Sequence, residues 1–188
     1  REAEGLFAKN IWPTTPADMK QVWMMYREAC QGVADKLLSI FATALGIHSD
    51  WFVTKADKPI STLVVHHYPE QRTPPVLGAL RAGAHTDFGT LTLLMTEDSP
   101  GGLQVMGLDD QWHDIVPTAG TFIVNIGDLM ERWTNDTWRS TLHRVVNPPP
   151  DAGSEARRMS VVYFHTPNYD TEVTCSKYPP ITAGAHHK

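Results

Sequence analysis

The hydrophobic rhythm of the chain changes once. In "TTPADMKQVWMMYREACQGVADKLLSIFATALG", residues 14 to 46, apolar side chains recur at three- and four-residue spacing: Val22, Met25, Tyr26, Ala29, Val33, Leu37, Ile40, Phe41 and Ala44. That period is one face of an α-helix. Thr15 is the expected N-cap and Pro16 the first helical residue, with Asp18 in the first turn near the positive end of the helix dipole. Gly46 is the expected stop. A stripe of methionine, aromatic and aliphatic residues is a packing surface, so the helix is read as a brace for whatever follows.

From residue 61 onward the runs shorten and fill with β-branched and aromatic residues: "STLVVHHY", "TLTLLM", "LQVM", "QWHDIV", "TFIVNI", "STLHRVV" and "RMSVVYFH". These read as strands. Between them stand "PEQRTPP", "EDSPGG", "GLDD", "PTAG", "TND" and "NPPPDAGSE", all turn chemistry. Some seven strands with no helical pattern between them predict a β-sandwich or jelly roll. The expected organisation is a helical brace over 1–60, incomplete at its start because residue 1 is Arg, and a β core over 61–188.

Composition narrows the class. The 188 residues suit one domain with a real core, and the 41% apolar and 20% charged content is that of an ordinary water-soluble domain. A net charge of −5 and no basic run longer than "ARR" (156–158) argue against a nucleic-acid partner. No apolar stretch is long enough to cross a bilayer and no signal-peptide pattern opens the chain, so no membrane partner is expected. Two cysteines are too few for a disulfide framework, which points to a cytoplasmic protein.

The chemistry begins at "AGAHTDFGTLTLLM", residues 82 to 95. His85 and Asp87 stand at i and i+2, so in extended backbone both side chains point the same way. Alone the pair is weak, because Asp87 ahead of Phe88-Gly89 is also good turn chemistry. A third ligand is available in His143, mid-strand among apolar residues of "STLHRVV". Two imidazoles and one carboxylate on one side of a metal leave the opposite positions open, the facial arrangement of non-heme Fe(II) oxygenases. A second i, i+2 pair, Arg158 and Ser160 in "RRMSVVYF", offers a bidentate guanidinium and a hydroxyl to an acidic ligand.

Residues 85 to 165 closely resemble the isopenicillin N synthase-like branch of Fe(II)/2-oxoglutarate-dependent dioxygenases. The landmarks stand in family order: "HTDFGTLTLL", "GGLQV", Trp112, "GTFIVNIGDLMERWTN", "STLHRV" and "RMSVVYF", with looser similarity from "NIWP" at 10 to "YPPITAG" near 184. The resemblance implies a mainly β fold, a double-stranded β-helix (jelly roll) braced by the long α-helix. It implies Fe(II) on His85, Asp87 and His143, and the distal carboxylate of 2-oxoglutarate on Arg158 and Ser160. Tyr68 in "HHYPE" matches a family tyrosine that reaches the cosubstrate, while His66 replaces the usual asparagine. Gly101, Gly102, Asn125, Gly127 and Asp128 match family positions and read as turn and strand-end residues that keep the sandwich in register; Asn125 facing the pocket is the alternative. Relative to the family, segments are expected to be missing before the long helix and near 175–176.

The implied activity is oxidation of a small organic molecule by dioxygen, with 2-oxoglutarate converted to succinate and CO2 and the product hydroxylated, desaturated or cyclised. Asp87 favours these outcomes over halogenation, since related halogenases carry a small residue there. His66, His67, Phe88 and Phe164 are candidates for the substrate pocket by their nearness in sequence. Three other readings compete. An oxidase of this fold keeps an arginine-serine pair without using 2-oxoglutarate, and succinate formation separates it. A catalytically silent jelly-roll binding protein would fail to bind Fe(II). A cupin-type zinc enzyme usually spaces its histidines differently.

Overall fold

The computed structural model describes residues 8–70, 73, 75–97, 102–148 and 157–186. A long helix α1 (Met19–Ala44) and a short 3-10 turn precede ten strands. These are β1 (Thr62–Tyr68), β2 (Leu80–His85), β3 (Leu91–Thr96), β4 (Leu103–Met106), β5 (Trp112–Asp114), β6 (Ile123–Ile126), β7 (His143–Val146), β8 (Arg158–His165), β9 (Glu172–Val173) and β10 (Ile181–Thr182). Two short helices, α2 (Asp128–Trp133) and α3 (Ala183–His186), sit between β6 and β7 and after β10. Among the described residues no helix is long and apolar enough to cross a membrane.

Strands β1 to β8 form two antiparallel four-stranded sheets, ordered β1-β8-β3-β6 and β2-β7-β4-β5. The chain crosses between them at almost every step, which is the winding of a double-stranded β-helix. Strict alternation then sorts the side chains. On β8, Arg158, Ser160, Val162 and Phe164 line a cavity bounded by both sheets, while Tyr163 is buried in the core beneath α1. On β3, Thr92 and Leu94 face the cavity and Leu91 and Leu93 face the helix.

Helix α1 lies on the outer face of the β1-β8-β3-β6 sheet. It buries Cys30, Ala34, Leu38 and Ala42, an i, i+4 row whose small members let the helix approach Leu91, Leu93 and Tyr163 closely. This corrects the expected stripe. Tyr26, Val33, Leu37 and Phe41 flank the row, but Val22, Met25 and Ile40 are exposed. The start differs too. The helix begins at Met19 with Asp18 as N-cap, so Thr15 caps nothing and Pro16 precedes the helix behind a cis Thr15–Pro16 bond. Gly46 stops the helix as expected: it has φ +71°, and the amides of Gly46 and Ile47 return to the carbonyls of Thr43 and Ala42.

Among the elements that escaped the pattern reading are two that shape the site. Strand β2, "LRAGAH", has small residues where an apolar alternation would be. Helix α2, six residues inside a β region, is too short to show a period.

Candidate active site

Strand β2 ends at His85, and the chain turns before β3. Strand β7 places His143 directly opposite His85 in the β2–β7 register. Asp87 lies in the turn, 5% exposed. One donor atom from each of His85, Asp87 and His143 falls within 4.8 Å of the others, and these three are the sole such group among the described residues. Asp87 Oδ1 lies 3.7 Å from His143 Nε2, and the two imidazole rings are 4.3 Å apart at 54°.

The remaining atoms of each group are already committed. His85 Nδ1–H donates to the Gly83 carbonyl at 2.7 Å, and His143 Nδ1–H donates to the Thr141 carbonyl at 3.0 Å. A carbonyl can only accept, so each ring donates from Nδ1, the tautomer that leaves Nε2 as the atom able to ligate a metal. Asp87 Oδ2 accepts from Thr92 Oγ1 at 2.6 Å and from Asn125 Nδ2 at 2.7 Å, which leaves Oδ1 for a cation. Two neutral imidazoles and one carboxylate, each oriented by an outer partner, fit Fe(II) and leave one side open.

The backbone around Asp87 is clamped by the start of α2. The amide of Asp128 donates to the Asp87 carbonyl, that of Leu129 to the Phe88 and Gly89 carbonyls, and that of Gly127 to Thr90. Thr86 Oγ1 donates to Asp128 Oδ2. The approach is so close that a Cβ on Gly89 would strike the His165 carbonyl oxygen, and one on Gly127 would strike the Gly89 carbonyl. Gly127 and Asp128 thus hold the ligand turn. Gly102, which ends the turn before β4, has φ +109°; Gly101 lies outside the described residues.

A cavity of about 570 Å³ opens between the sheets beside this group. His66, Tyr68, Arg158, Ser160 and Phe164 line it, as do the three metal-capable residues. Tyr68 pairs with Arg158 and His66 with Ser160 across the β1–β8 ladder. Arg158 and Ser160 are each 4% exposed, and the Arg158 guanidinium sits 4.9 Å from the centre of the Tyr68 ring. Arg158 Nε is buried without a hydrogen-bond partner. Burial weakens the charged form of this guanidinium, against the pull of Tyr68. A cation so placed fits an incoming carboxylate.

Two pocket candidates fall elsewhere. His67 alternates to the opposite side of β1 from His66 and Tyr68, and it is exposed. Phe88 is 59% exposed outside the cavity lining, edge-on to His186, because the clamped turn swings it away from Asp87. Asn125, read as a register residue, faces the cavity and holds Asp87. Thr92 and Arg81 were not singled out at all. The alternation of "TLTLLM" puts Thr92 on the same strand face as Leu94, but nothing in it says which face carries the site.

Residues 59–167, more than half of the chain, match the model of the 2OG-Fe(II) oxygenase superfamily. A 2-oxoglutarate-Fe(II) type oxidoreductase, hxnY, of Emericella nidulans is 35% identical over 92% of this chain and 52% of its own length. A homoarginine-6-hydroxylase of Glycine max is 36% identical over 87% of this chain and 50% of its own. The chain thus spans about half the length of the curated relatives it matches. Among solved structures, a full-length Neurospora crassa protein in complex with alpha-KG superposes with a TM-score of 0.86 at 32% identity, covering 96% of this chain and 60% of that one. JOX2 in complex with 2OG, Fe and JA gives 0.79 at 30% identity, covering 92% and 52%. The matched region runs through both sheets and all three metal-capable side chains, and the chain belongs to the 2OG-Fe(II) oxygenase superfamily.

Proposed function

We propose that the protein is an Fe(II)- and 2-oxoglutarate-dependent oxygenase that oxidises a small organic molecule. The observation that carries this reading is the donor set: two Nε2 lone pairs and one carboxylate oxygen converge, with every other polar atom of those side chains tied back to the protein. His85, Asp87 and His143 would hold the metal. Bound there, Fe(II) would activate dioxygen toward a C–H bond, with 2-oxoglutarate supplying the two electrons that the substrate does not.

The protein's own residues bind, orient and exclude water. Arg158 and Ser160 receive the distal carboxylate of 2-oxoglutarate, with the Tyr68 ring against the guanidinium. Aliphatic side chains such as Leu94, Leu103, Val105, Ile123 and Val145 make the rest of the wall apolar, which strengthens each charged contact inside it. In the hydroxylation case, substrate, 2-oxoglutarate and O2 give hydroxylated substrate, succinate and CO2, with one oxygen atom of O2 in each of the first two products. A cavity of about 570 Å³ admits the cosubstrate and part of a small molecule. The relatives support that class, since one was solved with thymine and another with JA.

The test is a screen of small molecules against Fe(II)-loaded protein, reading succinate together with substrate loss. Succinate formed in step with product, and abolished in Asp87→Ala, is the expected result. Turnover without succinate would indicate an oxidase, and failure to bind Fe(II) would refute an oxygenase outright.

A further inference from the structure

We propose that Thr96 is a positioning residue of the cosubstrate site, whose hydroxyl stands behind that of Ser160 and steers its proton toward the distal carboxylate of 2-oxoglutarate. The proposal rests on the oxygenase reading above and adds to it a residue that does not touch the cosubstrate.

Thr96 ends β3 directly across the ladder from Ser160. Alternation keeps it on the strand face of Thr92 and Leu94, which line the cavity, while Thr96 itself lies outside the lining. Ser160 is 4% exposed, and its Oγ lies 3.1 Å from Thr96 Oγ1. Thr96 Oγ1 lies in turn 3.4 Å from the Met159 carbonyl oxygen. The Met159 carbonyl, the Thr96 hydroxyl and the Ser160 hydroxyl thus form one row, and its last member lines the cavity beside Arg158.

Each hydroxyl holds one proton and a carbonyl holds none, so the row has two polarities. In the first, Ser160 donates to Thr96 and Thr96 donates to Met159. That presents only Ser160 lone pairs to the cavity, which repel a carboxylate. In the second, Thr96 donates to Ser160 and Ser160 donates into the cavity. A carboxylate received by Arg158 selects the second.

The reversal costs little. The contact given up is the Thr96–Met159 one, longer than the upper end of roughly 3.0 Å for a good O–H···O bond. The Met159 carbonyl is not left bare, because the Glu97 amide still donates to it at 3.1 Å. A hydroxyl that accepts one hydrogen bond donates a stronger one. Thr96 therefore strengthens the Ser160 donor from behind and holds its oxygen in place.

A serine and a threonine opposed across a ladder can also serve the sheet alone, and calorimetric titration separates the two roles. The full chain is loaded with Fe(II) in the absence of dioxygen. The titrants are 2-oxoglutarate and 2-oxopentanoate, which keeps the keto acid end and lacks the distal carboxylate. Thr96→Val keeps the β-branched shape and should weaken 2-oxoglutarate about three- to ten-fold, the net worth of one hydrogen bond. Thr96→Ser should restore the affinity, and both variants should bind 2-oxopentanoate as the parent does. In a Ser160→Ala background, itself weakened toward 2-oxoglutarate, Thr96→Val should cost nothing further. Parental 2-oxoglutarate affinity in Thr96→Val overturns the role of Thr96. So does an equal loss toward both acids, a loss that persists in the Ser160→Ala background, or a Ser160→Ala variant that binds as the parent does. Each of those results leaves the oxygenase reading standing. If the parent protein binds neither acid, that reading fails and this inference falls with it.

Discussion

Replacing Thr92 by Val tests whether Asp87 is a ligand held from behind. The substitution keeps the β-branched shape and removes one hydroxyl that donates to Asp87 Oδ2 at 2.6 Å in a site where Asp87 is 5% exposed. A hydrogen bond to a buried charged group is worth about 1.5–3 kcal/mol. Loss of an outer partner of a metal ligand typically lowers metal affinity by about 10–100-fold. Asn125 keeps its own bond to the same oxygen, so the lower figure applies. Metal stabilises the fold by RT ln(1 + [M]/Kd), about 2.7 kcal/mol when metal stands at 100 times Kd. A ten-fold weaker site at the same metal concentration gains only about 1.4 kcal/mol. The assay is urea unfolding with and without metal, for parent and variant, with Thr92→Ser as the rescue. The difference between the two increments should be near 1.3 kcal/mol, about a factor of ten. Equal increments, with the variant merely less stable overall, would show that Thr92 supports the fold and not the metal, and the donor assignment of Asp87 would fail.

Other outcomes follow from the same geometry. Arg158→Ala should cost 2-oxoglutarate binding about 3–5 kcal/mol, several orders of magnitude in affinity, and a binding titration that finds less than a ten-fold change would remove Arg158 from the site. Gly89→Ala should destabilise the protein by about 1–3 kcal/mol and weaken metal binding, because the new Cβ meets the His165 carbonyl and not a flexible side chain; chemical denaturation and metal titration report both. His165 gives a pH dependence. It is 1% exposed, and burial first, with the charge of Arg27 second, lowers its pKa from 6.5 to about 4. Thr90 Oγ1 lies 2.6 Å from its Nδ1, and Nε2 has no partner, so a second proton would be buried unpaired. The neutral ring therefore favours the fold. Its contribution is complete above about pH 6.5 and is lost as pH falls toward 4, by at most about 3 kcal/mol. Denaturation midpoints at pH 7 and pH 4.5 should fall further for the parent than for His165→Gln, and parallel falls would contradict this.

How much of this was legible depended on whether a feature repeats along the chain or arises across it. The alternation in "RMSVVYFH" exposes Arg158 and Ser160 as one face, and the structure puts them both in the cavity. Periodicity located α1 but misjudged its buried row by about one position. Several staggered rows of apolar residues fit a helix of 3.6 residues per turn, and only the sheet beneath selects the row of Cys30, Ala34, Leu38 and Ala42. Nearness in sequence misled at His67 and Phe88, where strand alternation and the clamped turn decide direction. Arg81, beside Ala82 in the cavity wall, was invisible because the register shift between Leu80 and Ala82 belongs to a pair of strands and leaves no mark on either alone.

The same reasoning explains why the metal-capable site depends on the sheet register. Thr92 on β3 and Asn125 on β6 are direct partners across the ladder, and both donate to the same oxygen of Asp87. Slipping β6 by one residue would put Val124 or Ile126 opposite Thr92. Either exchange would replace an amide donor with an apolar side chain and leave a buried carboxylate with one partner fewer. The glycine that follows, Gly127, packs against the Gly89 carbonyl so closely that no side chain fits there, which resists the slip from the other side. Register is usually fixed by a buried apolar face; in β6 it is supported as well by a hydrogen bond to Asp87, the proposed metal ligand. A variant that removes this bond, Asn125→Leu, should therefore lose Fe(II) affinity by about ten-fold or more while its sheet stays paired, a result that near-parental circular dichroism beside a weakened metal titration would reveal. Parental metal affinity in that variant would mean that Asn125 serves the register alone.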